Sequence, residues 1–193
     1  MLLRHELLTR EVALLGETGY FLRDGFLGLE LGRAVRAQGP TQALVRAGVR
    51  REHTLDDTIR SDEIAWLTPE EAQGPLAGAV EHFTALMGAI NEAAWLGLRR
   101  FDLMLSRYRP GAKYVRHLDA FPGQENRRVT AIVYLNEAWA LADGGQLRLC
   151  VDPPVLVDPV MDRLVVFRSE LVEHEVLEAH AERFALTAFF SAH

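Results

Sequence analysis

The sequence is short of cysteine, of long apolar runs and of positive charge. Cys150 is the only cysteine among 193 residues, which excludes an internal disulfide framework and is typical of a reducing compartment. No apolar stretch approaches the ~20 residues of a membrane span, and the amphipathic start "MLLRHELLTREVALLG" lacks the apolar core of a signal peptide. The formal net charge of −6 argues against a nucleic-acid partner. We therefore expect a soluble cytoplasmic protein that binds neither membranes nor nucleic acid.

The composition is typical of a globular domain. Hydrophobic residues make up 49% of the 193 positions and charged residues 25%, which is enough to build a full core. No repeat, low-complexity tract or linker interrupts the chain. The sequence therefore predicts a single domain over residues 1–193.

The periodicity of apolar residues divides the chain into two halves. Helical patterns dominate residues 1–100, where one helix is expected to cover a sheet with a face formed by Val80, Phe83, Met87, Ile90 and Ala94. From residue 101 the period changes to two, in short runs such as "VTAIVYLNE", "DRLVVF" and "RFALTAFF" that are separated by turn residues. This spacing is typical of antiparallel sandwiches and barrels. We predict an α+β fold in which N-terminal helices pack outside a double-sheet jelly roll, also called a double-stranded β-helix.

The segment "KYVRHLDAF" places His117 and Asp119 two residues apart in an apparent strand. Because side chains alternate along a strand, both would project from the same face. Such a pair can be a salt-linked surface pair or two ligands of one metal ion. A chance His-x-Asp is expected about 0.4 times in this composition, so the motif needs a third ligand.

His174 is the candidate third ligand, because "ELVEHEVLEAH" places it at the start of a strand late in the β region. The neighbouring His180 falls in a turn rich in Ala and Glu and is expected to be solvated. Two histidines and one aspartate would occupy one face of an octahedral ion, which is the non-haem Fe(II) arrangement with open positions for substrate and oxygen. Structural zinc usually fills all four sites with protein ligands, so three ligands favour catalysis.

The run "RFALTAFF" aligns Arg183, Ala185, Thr187 and Phe189 on one strand face. A guanidinium on an otherwise apolar, buried face needs an anion, because an unpaired buried charge is costly. The anion can be the carboxylate of a ligand, held bidentately. It can equally be an internal glutamate such as Glu175 or Glu182, and the pattern leaves both possibilities open.

Several runs together resemble the catalytic domain of the 2-oxoglutarate/Fe(II)-dependent prolyl hydroxylases, in the branch of the oxygen-sensing prolyl hydroxylase domain enzymes and their bacterial relatives. These runs are "RYRPGAKYVRHLDAF", "RRVTAIVYLNEAW", "GGQLRLCV", "DRLVVFRS" and "HEVLEAHAERFALTAFF". The resemblance implies a jelly-roll catalytic core over residues 101–190. Residues 1–100 would supply mostly helical support and a substrate-covering loop, "VRREHTLDDTIRSDE".

The resemblance also implies roles for individual residues. The implied iron ligands are His117, Asp119 and His174. Arg183, the fourth catalytic residue, would hold the distal carboxylate of 2-oxoglutarate with help from Tyr134 and Thr187. Tyr108 would lie near the metal-bound end of the co-substrate, and Met104 and Leu147 would be apolar residues of the pocket. The implied substrate contacts are Arg60, Asp62 and Arg127, with Arg127 as a partner of Asp62; a solvated surface cluster is the alternative for these three residues.

The activity implied by the resemblance is hydroxylation of a prolyl residue in a protein. Fe(II), 2-oxoglutarate and O2 would be required, succinate and CO2 would be formed, and ascorbate is a candidate reductant. In the bacterial branch, elongation factor Tu is the suggested substrate. Two alternatives stay open: a 2-oxoglutarate oxygenase that acts on a free amino acid or another small molecule, and a sensor module without turnover.

Overall fold

The structure is a computed structural model that describes residues 5–39, 42–48, 56, 58–120 and 126–192. Within these ranges lie three α-helices: α1 (His5–Glu17), α2 (Leu29–Gln38) and α3 (Pro75–Ala94). The strands are, in chain order, β1 (Tyr20–Asp24), β2 (Val45–Arg46), β3 (Glu63–Leu67), β4 (Arg100–Tyr108), β5 (Tyr114–His117), β6 (Arg127–Tyr134), β7 (Leu147–Leu149), β8 (Val155–Val157), β9 (Arg163–Arg168), β10 (His174–Val176) and β11 (Arg183–Ser191).

The described strands form two antiparallel sheets. The large sheet has the order β1-β9-β6-β11-β4-β3-β2, and the small sheet has the order β5-β10-β7-β8. Strand β11 lies at the centre of the large sheet, between β6 and β4, and every one of its residues is buried. These two sheets are the walls of the predicted jelly roll, and the central strand β11 carries Arg183.

The helices cover the outer face of the large sheet. Helix α3 buries the face formed by Leu76, Ala79, Phe83, Leu86 and Ile90, and these side chains join one apolar cluster with β4, β6 and β11. The predicted face shares Phe83 and Ile90 with this one. The other predicted members, Val80, Met87 and Ala94, lie at its margin, because the helix is apolar on two adjoining stripes and the sequence alone does not select between them.

A second apolar cluster fills the space between the sheets. It contains Tyr108, Ile132, Tyr134, Leu147 and Val176, among others. Residues on the inner faces of β4, β6 and β11 therefore point toward β7 and β10 of the small sheet. This interior is where the candidate site lies.

Residues 1–100 contribute strands as well as helices. The segment "GYFLRDGFLG" contains β1, and "ALVRAGVR" and "TIRSDEIAWL" contain the short β2 and β3, which extend the large sheet. A capping box lies at Thr68, where Glu71 accepts from the Thr68 N–H at 2.8 Å; it opens a single 3-10 turn, and α3 begins only at Pro75. None of the described helices combines the length and apolar character needed to cross a membrane.

Candidate metal centre and co-substrate pocket

Strands β5 and β10 place two histidines opposite each other. His117 is the last residue of β5, His174 is the first of β10, and the antiparallel register makes them direct partners. Each Nδ1–H donates to the carbonyl two residues earlier, at 2.8 Å to Val115 and 3.2 Å to Val172. These bonds fix the tautomer and leave the Nε2 lone pairs free for a metal ion.

Asp119 completes the cluster from a bend and not from a strand. The strand predicted over "KYVRHLDAF" ends at His117, so Asp119 reaches the side of His117 through a bend and not through strand alternation. The Asp119 Oδ1 lies 3.6 Å from the His117 Nε2, and Oδ2 lies 3.7 Å from the His174 Nε2. All three ligand atoms fall within 4.8 Å of one another, which is close enough to bind one ion.

The electrostatics of the cluster suit metal binding. Burial alone would raise the pKa of Asp119, but His174, His117 and a 2.7 Å hydrogen bond from the Thr130 hydroxyl together hold that pKa well below its usual range. Burial lowers the pKa of His174 to about 4. An ionised carboxylate and neutral imidazoles are the protonation states that a metal ion requires.

His180 lies outside this cluster, as the sequence predicted. Its side chain is exposed, and its Nδ1 lies 3.0 Å from the carbonyl of Ala142. His180 is thus solvated, as expected, whereas His174 lies beside Asp119.

At the other end of the interior, Arg183 is a buried cation without an ion-pair partner among the described residues. Its Nε donates to the Gly145 carbonyl at 2.8 Å, and the side chain is only 2% exposed. The internal partners considered from the sequence are engaged elsewhere: Glu175 pairs with Arg148 and Glu182 pairs with Arg36. The remaining guanidinium donors are thus available to an anionic ligand.

The predicted face of β11 lines a cavity between the two sheets. Arg183, Ala185, Thr187 and Phe189 all contribute to the wall, and β4 sets Tyr108 beside Arg183 and Met104 beside Thr187. His117, Asp119, His174 and Leu147 line the same cavity. The metal-binding cluster and Arg183 therefore face one shared space.

Tyr134 stands behind Arg183 and is not part of the cavity wall itself. Its ring centre is 5.0 Å from the Arg183 guanidinium carbon, and its buried hydroxyl has no hydrogen-bond partner among the residues that the structure describes. Burial raises the pKa of Tyr134 to about 12 against the opposing effect of Arg183, so the phenol stays protonated at neutral pH. A buried hydroxyl of this kind needs an acceptor, and a carboxylate held by Arg183 would supply one.

The residues present fit the iron and co-substrate that the fold implies. Two imidazoles and one carboxylate form the three-ligand set of non-haem Fe(II) centres. The cavity volume is about 100 Å³, well above the ~10–15 Å³ that a cavity needs to hold one water molecule, so the space can admit a small ligand.

The three predicted substrate residues are arranged differently from the sequence expectation. Asp62 is 1% exposed and binds Arg60 bidentately, at 2.6 and 2.9 Å, so this pair is not a solvated surface cluster. Arg127 does not pair with Asp62: its guanidinium carbon lies 4.2 Å from the ring centre of Phe189 and 5.5 Å from that of Trp66. The expected pairing of Arg127 with Asp62 failed because Arg60, only two residues from Asp62 in the chain, already binds both oxygens of that carboxylate. Arg60 and Arg127 line the cavity, whereas Asp62 does not.

Two residues of the site were not assigned from the sequence. The Tyr114 ring stacks on that of His117, with centroids 3.6 Å apart, and Thr130 donates to Asp119. Thr130 could have been found, because it alternates in phase with Ile132 and Tyr134 along β6 and so faces the interior. Tyr114 has no comparable signal in the sequence.

Comparison with known proteins agrees with this geometry. The family model for the 2OG-Fe(II) oxygenase superfamily matches residues 103–191. A crystal structure of a Pseudomonas putida prolyl-4-hydroxylase is 37% identical, with a TM-score of 0.87 over 96% of this chain and 99% of that one. The chain belongs to the 2-oxoglutarate/Fe(II)-dependent prolyl hydroxylases.

More distant prolyl hydroxylases extend the match to animals. The hypoxia-inducible factor prolyl hydroxylase of Caenorhabditis elegans is 32% identical over 91% of this chain, which spans only 27% of that protein's length. A prolyl hydroxylase from Trichoplax adhaerens, solved with a peptide fragment of the hypoxia inducible factor oxygen degradation domain, is 26% identical, with a TM-score of 0.84 over 97% of this chain and 90% of that one. The predicted family, including its oxygen-sensor-like branch, is confirmed.

Proposed function

We propose that this chain hydroxylates a prolyl residue in a protein substrate, with Fe(II), 2-oxoglutarate and O2. The observation that carries the proposal is the shared cavity, which has a three-ligand metal set at one end and the unpaired, buried Arg183 at the other. A metal set alone is compatible with many activities. Its combination with a dedicated anion-binding arginine favours 2-oxoglutarate as the co-substrate.

His117, Asp119 and His174 would hold Fe(II) and leave its remaining positions to ligands other than protein. When bound, iron and 2-oxoglutarate supply the oxidising chemistry, in which the co-substrate is decarboxylated to succinate and CO2 and one oxygen atom of O2 enters a C–H bond of the substrate. Asp119 contributes the only negative charge among the three ligands. It therefore offsets part of the cation's charge in a buried site.

The residues around Arg183 would bind and orient the co-substrate. The planar guanidinium fork matches a carboxylate bidentately, and the protonated Tyr134 phenol and the Thr187 hydroxyl can each donate a further hydrogen bond. Tyr108, Met104 and Leu147 form the side wall of the cavity. A co-substrate bound between the two ends would displace water from this space, which would strengthen each polar contact there.

The open end of the cavity supports a peptide substrate. Trp66 is 45% exposed, lines the cavity and lies against Phe189 with ring centres 5.4 Å apart, so an apolar surface continues from the interior to solvent. The Trichoplax relative was solved with a peptide. Most of the predicted covering loop lies outside the described residues. We keep elongation factor Tu as the proposed substrate. Action in the cytoplasm is likewise a prediction.

The test is oxidation of a native-cell lysate by the purified enzyme with Fe(II), 2-oxoglutarate and ascorbate. Peptide mass spectrometry should find proline residues that gain the mass of one oxygen atom under air and not under nitrogen. The Asp119→Ala variant is the matched control for background oxidation. If only free amino acids or other small molecules are oxidised, the small-molecule oxygenase replaces this proposal. If neither class is oxidised and no succinate forms, the sensor module replaces it.

A further inference from the structure

A pair of buried hydroxyl groups lies next to Asp119, and one of them belongs to Thr130, which lines the cavity. The Thr130 Oγ1 is 2.7 Å from the Asp119 Oδ2, and the Ser169 Oγ is 2.9 Å from the Thr130 Oγ1. Thr130 and Ser169 are both 0% exposed. Because both hydroxyl groups are buried and Thr130 contacts both Asp119 and Ser169, the donor and the acceptor of each hydrogen bond can be assigned.

The direction of the hydrogen bonds follows from the contact between Thr130 and Asp119. The Thr130 hydroxyl is the donor in its 2.7 Å contact with the Asp119 carboxylate, whose oxygen accepts. Thr130 has a single hydroxyl hydrogen, which must therefore go to Asp119. Consequently Ser169 is the donor in the contact between the two hydroxyl groups, and its hydrogen bond fixes the rotation of the Thr130 hydroxyl toward Asp119.

The backbone of Ser169 is fixed as well. Its N–H donates to the Arg128 carbonyl at 3.1 Å, and its carbonyl accepts from the Ala120 N–H at 3.2 Å. Ala120 directly follows Asp119, which lies in a bend without ladder hydrogen bonds of its own. Ser169 thus contacts the Asp119 segment twice, once through Thr130 and once through the backbone.

We propose that Ser169 is a positioning residue for the metal centre, which acts through Thr130 to hold one oxygen of Asp119 and so presents the other to the metal ion. The inference rests on the proposed iron site. An outer hydrogen bond of this kind tunes both the orientation and the basicity of a metal ligand. Neither serine nor threonine touches the metal-binding atoms of the histidines, so the effect should be confined to the aspartate.

The experiment measures the dissociation constant of Co(II), a spectroscopic substitute for Fe(II), by anaerobic absorption titration of the purified protein. Thr130→Val should weaken binding about 10–100-fold, the usual range for an outer partner of a metal ligand, and Ser169→Ala about three- to tenfold. Thr130→Ser, which keeps the hydroxyl, should bind nearly as well as the wild type. Ser169→Cys, which keeps a weaker donor, should fall between Ser169→Ala and the wild type.

The decisive measurement is the double variant. If Ser169 acts through Thr130, adding Ser169→Ala to Thr130→Val should change the constant by less than about twofold. A further loss equal to that of Ser169→Ala alone would show an independent packing effect and overturn the proposal, as would unchanged Co(II) affinity in Ser169→Ala. Ser191→Ala is the matched control, because Ser191 is a buried serine at the far end of β11. Thermal melting without metal checks that each variant folds.

The Co(II) titrations distinguish a wrong role for Ser169 from a wrong assignment of the iron site. If Asp119→Ala binds Co(II) as tightly as the wild type, the metal centre itself is wrongly assigned. If Asp119→Ala loses Co(II) but Ser169→Ala does not, only the role of Ser169 is wrong.

Discussion

Replacement of Arg183 by methionine separates a ligand-binding arginine from a structural one. The side chain makes one described hydrogen bond, from its Nε to Gly145 at 2.8 Å, and has no described carboxylate partner. Methionine removes that bond, worth about 1.5–3 kcal/mol because its donor is charged, and also removes a buried charge whose desolvation is unfavourable. The two effects oppose each other, so the free energy of unfolding without co-substrate should stay within about 1–2 kcal/mol of the wild type.

Binding of 2-oxoglutarate should behave differently. Loss of one partner of a buried, hydrogen-bonded charge pair costs about 2–5 kcal/mol, which is roughly a 30- to 4,000-fold weaker dissociation constant. Calorimetric titration of the Co(II)-loaded protein under nitrogen measures this constant, and urea unfolding measures stability. Arg183→Lys should recover only part of the affinity, because an ammonium lacks the planar fork.

The opposite pattern would refute the reasoning. If Arg183→Met lost 3 kcal/mol or more of stability, about the cost of breaking a buried pair, while 2-oxoglutarate bound as before, Arg183 would belong to a structural ion pair. Arg148→Met is the matched control, because Arg148 pairs with Glu175 on the small sheet and does not line the cavity. That variant should leave co-substrate affinity unchanged.

Three further predictions follow from the same contacts. Gly145→Ala should weaken 2-oxoglutarate binding by roughly tenfold without affecting Co(II) affinity, since Gly145 has a φ of +64° and a Cβ there would lie 3.0 Å from the Arg183 Cδ; both constants come from calorimetric titration. His174→Ala should abolish tight Co(II) binding and His180→Ala should not, and equal losses in an absorption titration would contradict the assigned triad. Arg60→Ala should destabilise the fold by about 3–5 kcal/mol in urea unfolding, because it leaves the Asp62 carboxylate buried and unpaired. A change below about 1 kcal/mol, as is usual for an exposed ion pair, would contradict the assignment of Arg60 and Asp62 as a buried pair.

The sequence predicted most of the features that depend on the alternation of inward and outward side chains along a strand. The inward face of β11, the helices outside the jelly roll and the start of β10 at His174 all follow from apolar patterning and turn residues. Family resemblance supplied the roles of His117, Asp119 and Arg183, and the structure brings all three to one cavity. Patterning and resemblance together thus pointed to the residues that line the candidate site.

Contacts between segments that are distant in sequence were less accessible. The stacking of Arg127 on Phe189 depends on the pairing of β6 with β11, which no local pattern encodes. The Thr130–Ser169 contact joins residues 39 positions apart. The strand boundary after His117 was missed because the polar–apolar–polar order of His117, Leu118 and Asp119 continues past the end of the strand.

The two sheets of the jelly roll carry separate halves of the site. Both histidines belong to the small sheet, whereas Arg183 and Thr187 belong to the central strand of the large one. A co-substrate that contacts both the metal centre and Arg183 would connect the two sheets, which otherwise meet through apolar side chains. Resistance to opening of the sandwich would then depend on occupancy, and the loaded protein would be mechanically stiffer than the empty one without any change in its covalent structure.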